Sequence, residues 1–151
     1  MENFGSIDEL LDFAIAREAE AYDFYNELAA KMENAAMKKV FEEFAQMEKG
    51  LKTRLEEFKN KGGFACTLQE IKNLKIGDYL VEVQPSGEMT YQDALILAMK
   101  KEKAAFKLYN DLSEATDDED LKAELLCLAQ EEARHKLTFE REYDEHFLDQ
   151  M

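Results

Sequence analysis

The stretch that decides the fold is LLCLAQEEARHKLTF, residues 125–139. Read as a helix, it places an apolar stripe along one face, from Leu125 to Phe139. Glu132 and His135 lie on the same stripe, three residues apart, so both side chains could hold one ion. Because polar groups on a stripe that faces a core need a partner inside the protein, this pair predicts a bound ligand.

Three other segments show the same irregularity, since each has helical periodicity and carries one glutamate where an apolar residue is expected. A single glutamate of this kind would be an ordinary surface charge, but four in equivalent positions indicate a shared role. The stripes are Leu11, Ile15, Glu18, Tyr22, Tyr25 and Met32; Met37, Phe41, Phe44, Glu48, Leu51, Leu55 and Phe58; and Leu95, Met99, Glu102, Phe106, Tyr109 and Leu112.

The composition predicts one helical domain, residues 1–151. Hydrophobic residues make up 46% and charged residues 35% of the chain, with a single proline, which favours helices. The net charge of −15 argues against nucleic-acid or anionic-membrane binding, because phosphates would be repelled. No basic leader followed by an apolar run and no membrane-spanning run is present, so a cytoplasmic location is expected.

Capping residues and breaks divide the chain into four predicted helices. Ser6 begins a capping box with Glu9, and Thr90 caps a later helix in the same way. The segment 62–89 contains glycines, the proline, one helical turn at 68–73 and an extended run at 79–83. A connection of this length is expected to cross the whole bundle. The predicted helices span about residues 6–32, 35–60, 90–115 and 118–147.

The two halves of the sequence repeat with an offset of 84 residues and no gap. A duplicated helical hairpin joined by a crossover predicts an all-α four-helix bundle with pseudo-two-fold symmetry, in which the four glutamates meet near the middle. The matching pairs are Glu18 and Glu102, Ala21 and Ala105, Tyr25 and Tyr109, Asn26 and Asn110, Leu28 and Leu112, Ala45 and Ala129, Gln46 and Gln130, and Glu48 and Glu132.

Four carboxylates buried together would repel one another, whereas two divalent cations would neutralise them. Oxygen donors with a single imidazole suit iron(II) or manganese(II) better than copper or a structural zinc. A glutamate from each of two helices and a Glu-x-x-His helix are typical of di-iron carboxylate bundles. The predicted metal ligands are Glu18, Glu48, Glu102, Glu132 and His135.

Two tyrosines accompany the predicted ligands. Tyr25 and Tyr109 lie seven residues, two turns, after Glu18 and Glu102 on the same helical faces. They are either ordinary core aromatics or donors that orient the carboxylates. Cys66 and Cys127 form no Cys-x-x-Cys pair and no role is expected for them. His146 has a tyrosine rather than a carboxylate three residues before it and is expected at the surface.

The repeat breaks at Leu51, because the residue that corresponds to His135 should be a second histidine. One metal position would therefore have four of the five predicted ligands. The position beside Glu18 would have only that residue and the two shared carboxylates, and would hold a metal weakly or not at all.

The stretches 91–106 and 128–135, with Glu18, Tyr25 and Glu48, resemble the rubrerythrin group of the ferritin-like superfamily. The resemblance implies a non-haem di-iron four-helix bundle, commonly a homodimer. Rubrerythrins reduce hydrogen peroxide to water with electrons supplied through a rubredoxin centre. The resemblance also implies that the five predicted ligands hold the metal.

The sequence departs from that pattern in three respects. No rubredoxin domain is present, so an external electron donor such as a rubredoxin is expected. Leu51 and Ala105 stand where rubrerythrins have a second histidine and an extra carboxylate. The resemblance thus implies a di-iron peroxide reductase; iron could be replaced by manganese or by a single metal ion. The alternative is a non-enzymatic metal-binding or interaction bundle with an incomplete site.

Overall fold

Four α-helices account for most of the protein in the computed structural model, which describes residues 6–61 and 89–148. A π-helical turn, Asp144–Leu148, follows the fourth helix. The all-α architecture agrees with the prediction, while the helical turn and extended run expected within 62–88, and Cys66, lie outside the described residues. The helices are α1 Ile7–Ala30, α2 Ala35–Asn60, α3 Tyr91–Glu114 and α4 Glu119–Tyr143.

Each helix begins directly after a side chain that caps it. Ser6 accepts a hydrogen bond from the Glu9 amide at 3.1 Å, and Thr90 accepts one from the Asp93 amide at 3.0 Å. Asn34 and Asp118 cap α2 and α4 in the same manner. Because a cap of this kind contributes about 1 kcal/mol, these residues fix where the helices begin.

The helices pair as two hairpins. Helix α1 packs along α2, and α3 packs along α4, whereas α1 and α3 approach each other at few points. Short connections, 31–34 and 115–118, make the partners within each hairpin antiparallel. None of the helices in the described ranges combines the length and the apolar character that crossing a bilayer requires.

Two apolar clusters occupy opposite ends of the bundle. The first contains the beginning of α1, the end of α2, the end of α3 and the beginning of α4, including Leu11, Leu55 and Leu121. The second contains the other four helix ends, including Phe41 and Phe139. Since α2 ends in the first cluster and α3 begins in the second, the chain between them joins opposite ends of the bundle. This topology agrees with the predicted crossover.

The residues of the predicted apolar stripes are fully or partly buried, with one clear exception. Phe106 is 40% exposed, so its assignment to the core of α3 was wrong. At 100° per residue, the buried face of α3 is centred on Ala98 and Tyr109, and Phe106 lies beyond its edge. The first helix also ends at Ala30 rather than near residue 32.

Candidate metal centre

The four predicted glutamates meet between the two apolar clusters. Glu18, Glu48, Glu102 and Glu132 are 2%, 0%, 1% and 1% exposed, and His135 is 7% exposed. Each of the four helices contributes one of these glutamates, as the 84-residue repeat predicts. A layer of carboxylates therefore divides the apolar interior in two.

His135 lies at one side of this layer. Its Nδ1 is 3.0 Å from Glu48 Oε1, 3.7 Å from Glu102 Oε2 and 3.7 Å from Glu132 Oε1. One ligand atom from each of these four residues lies within 4.8 Å of the other three. Glu18 is not part of this group, although it lines the same cavity as the other glutamates. The structure thus brings together four predicted ligands tightly and the fifth beside them.

The two tyrosines donate to ligands of the opposite hairpin. Tyr25 of α1 donates to Glu102 Oε1 of α3 at 2.5 Å, and Tyr109 of α3 donates to Glu18 Oε1 of α1 at 2.5 Å. Both tyrosines are fully buried. Both tyrosines also pack within the apolar clusters, so they are core aromatics and carboxylate donors at once, and the reciprocal hydrogen bonds follow the pseudo-two-fold symmetry.

The electrostatics of the layer favour bound protons or cations. Burial, with further contributions from neighbouring carboxylates, raises the pKa of Glu48 and Glu132 well above the usual range, and burial also raises the pKa of Glu18. For Glu102, burial acts in the same direction, but the neighbouring side chains of Glu132 and His135 outweigh it and lower the pKa. The carboxyl groups cannot all ionise together without a compensating positive charge.

The donor set fits a divalent metal ion. Among the residues that the structure describes, four buried carboxylate oxygens have no hydrogen-bond partner: Glu18 Oε2, Glu48 Oε2, Glu102 Oε2 and Glu132 Oε1. Unpartnered buried oxygens are rare in folded proteins, because each loses its hydration without compensation. Carboxylate oxygens together with one imidazole nitrogen suit iron(II) or manganese(II).

The second metal position is poorer in ligands, as the sequence predicts. Leu51 is 7% exposed and belongs to the first apolar cluster, together with Leu55 and Leu128. Ala105 packs against the same cluster. The side of the layer opposite His135 is therefore apolar where a second histidine and a further carboxylate would be needed.

Two openings reach the layer. A cavity of about 30 Å³ between α1 and α3 is lined by Arg17 and Lys101 as well as by the glutamates. A larger groove of about 380 Å³ between α2 and α4 is lined by Phe44, His135 and Phe139. Arg17 and Lys101 were not predicted from the sequence. The signal for them was the repeat, since the two cations are related by the same offset of 84 residues as the predicted ligands that follow them.

Comparisons with known proteins agree with this geometry. A family model described as Rubrerythrin matches residues 9–143. A hypothetical protein from Pyrococcus furiosus has a similar structure, with 26% identity, a TM-score of 0.67, and coverage of 92% of this chain and 89% of the other.

Two further solved structures share the fold. One, from Thermotoga maritima, is described as a ferritin-like diiron-carboxylate protein; it has 21% identity, a TM-score of 0.73, and coverage of 97% of this chain and 99% of the other. An uncharacterized conserved protein from Magnetospirillum magnetotacticum has 23% identity, a TM-score of 0.72, and coverage of 90% and 92%. No curated protein matches the chain.

Proposed function

This chain belongs to the rubrerythrin family, and we propose that its buried carboxylate layer binds iron and reduces hydrogen peroxide with electrons from an external donor. Glu18, Glu48, Glu102, Glu132 and His135 would hold the metal. When bound, a pair of irons would supply the two electrons that convert peroxide to water.

One observation carries the proposal: four carboxylate oxygens are buried without a partner around a single imidazole. A bundle that needed only stability would place apolar residues there, because unpaired buried charges cost several kcal/mol each. The arrangement is therefore favourable only when cations join it. The family membership favours iron over manganese.

The surrounding residues have distinct tasks in this proposal. Tyr25 and Tyr109 orient one ligand carboxylate each through their hydroxyl groups, and burial raises the pKa of both phenols so that they stay protonated. Phe44 packs edge-to-face on His135 with ring centres 5.3 Å apart, which fixes the imidazole plane. The cavity between α1 and α3 is the size of one or two water molecules, which admits a molecule as small as peroxide.

The donor, the assembly and the location are also proposals. We propose that a separate protein such as a rubredoxin supplies the electrons. We propose a homodimer in the cytoplasm, as the resemblance implies. Sedimentation of the purified protein tests the dimer, and cell fractionation tests the location.

Metal analysis after anaerobic loading with iron(II) tests the proposal. We expect about two irons per chain and peroxide consumption that requires reduced rubredoxin and its reductase. Glu48→Gln should lower iron content, whereas Glu42→Gln on the exposed face of the same helix should leave it unchanged. Full iron content without turnover would refute the peroxidase and leave the metal site standing.

The position of Leu51 favours a second candidate function. Because Leu51 and Ala105 give the second position an apolar wall, the protein would hold one metal ion at the His135 side and serve as a non-enzymatic binding module. About one iron per chain, with no peroxide turnover, would support this alternative. The two candidates thus differ in both metal content and activity.

A further inference from the structure

Two cations lie in the wall of the cavity between α1 and α3. Arg17 and Lys101 line it together with the four glutamates of the carboxylate layer and the small side chain of Ala105. Each cation directly precedes a predicted ligand, Glu18 or Glu102, in the sequence. Both hairpins therefore place a cation at equivalent points of the cavity wall.

In the described residues, neither cation is paired with a buried carboxylate of the layer. Arg17 Nη2 forms an ion pair with the half-exposed Glu20 at 2.9 Å, while its Nε is a buried donor with no acceptor in the part of the chain that the structure describes. The Lys101 ammonium lies 5.3 Å from the centre of the Phe24 ring. In the described ranges, neither side chain forms an ion pair with a member of the carboxylate layer.

These contacts do not suit cations whose only task is to balance the carboxylates. Such cations would be expected to form direct pairs, as Arg54 does with Glu124 at 3.0 Å. A buried N–H without an acceptor instead calls for a ligand that can accept from it. An anion would satisfy the Arg17 Nε and would be attracted by Lys101.

The size of the cavity limits the ligand. A volume of about 30 Å³ accommodates about two or three non-hydrogen atoms. We propose that Arg17 and Lys101 make this cavity a binding site for a small anion, of the size of hydroperoxide, that lies against the metal centre. This inference rests on the metal binding proposed above and names the class of ligand that the centre admits.

Azide is a suitable probe, because it is a stable anion of three atoms. The full chain is loaded with cobalt(II), its cobalt content is measured, and azide is titrated while the visible absorption of the cobalt is recorded. We expect a saturable spectral change with azide. Benzoate, which is also anionic but too large for the cavity, should cause none at the same concentrations.

Three double variants separate charge from structure. Arg17→Gln with Lys101→Gln should weaken azide binding by about tenfold or more, since two nearby charges are lost. Arg17→Lys with Lys101→Arg keeps both charges but loses the Arg17 Nε donor, so its azide affinity should lie between those of the wild type and the double glutamine variant. Lys100→Gln with Lys103→Gln removes two charges from the exposed face of α3 and should change azide affinity by less than about twofold.

Each result either supports or overturns the proposed anion site. Equal azide affinity in the wild type and the double glutamine variant, or binding in the charge-keeping variant as weak as in the double glutamine variant, would overturn the anion site. So would cobalt-loaded wild type that does not respond to azide, although the metal site would then stand. A protein that takes up no cobalt would overturn the proposed metal binding and the anion site with it.

Discussion

Replacement of Leu51 by histidine should convert the weak second metal position into a full one. Leu51 is the repeat partner of His135 and lies at the opposite side of the carboxylate layer. A second imidazole there would complete the pattern of a Glu-x-x-His helix in each hairpin. We expect iron content to rise from about one to about two per chain if the wild type holds a single ion.

The energetic effect has two opposing parts. Leu51 is only 7% exposed, so removal of its apolar side chain should destabilise the metal-free variant by about 2–4 kcal/mol. Binding of the second ion at about a hundred times its dissociation constant returns about 2.7 kcal/mol. For a domain of this size the metal-free variant should melt about 5–10 °C lower than the wild type, and iron should restore most of the difference.

The assay compares iron per chain and thermal melting with and without iron. Leu55→His is the matched control, because Leu55 is fully buried in the same cluster one turn farther along α2. It should lose stability to a similar degree and gain no iron. If the wild type holds one iron per chain and Leu51→His also holds one, or if Leu55→His gains as much iron as Leu51→His, the assignment of position 51 to the metal layer is refuted.

Three other predictions follow from the geometry of the layer. Tyr25→Phe, which removes the donor to Glu102, should lower iron affinity about 10- to 100-fold. Tyr109→Phe should mainly lower iron affinity at the weaker position beside Glu18. Iron titrations of both variants test these expectations. Glu48→Gln should stabilise the metal-free protein above neutral pH, because it removes one of several repelling carboxylates; urea unfolding measures the change. Metal-free wild type should lose stability as the pH rises above the ordinary range of a glutamate pKa, while iron affinity rises over the same range. The reason is that the raised pKa values of Glu18 and Glu48 let the folded state hold protons that the unfolded state has already released. Thermal unfolding measured at each pH, with Glu42→Gln as the control, tests whether stability falls as the pH rises.

Much of the fold could be predicted because short-range signals and the repeat agree. The caps at Ser6 and Thr90 fix where two helices begin, and the 84-residue offset fixes which positions become neighbours. The carboxylate layer follows from these, since each glutamate interrupts an apolar stripe. His135 then marks which side of the layer is richer in ligands.

Other parts of the structure depend on how the helices pack, which the helical periodicity of the sequence does not determine. Phe106 has the spacing of a core residue, but the buried face of α3 turns away from it as Leu108 and Leu112 pack inward. The tyrosine hydrogen bonds cross between hairpins, so their partners depend on how α1 faces α3. Arg17 and Lys101 look like ordinary surface cations until the gap between these helices is known.

The exchange of hydrogen bonds between the hairpins has a consequence for folding. Tyr25 of the first hairpin holds Glu102 of the second, and Tyr109 of the second holds Glu18 of the first. Neither hairpin can finish its own half of the centre in isolation. Under the proposed function, docking of the two halves and completion of the metal site would be a single event, and bound iron would strengthen the contact between the halves.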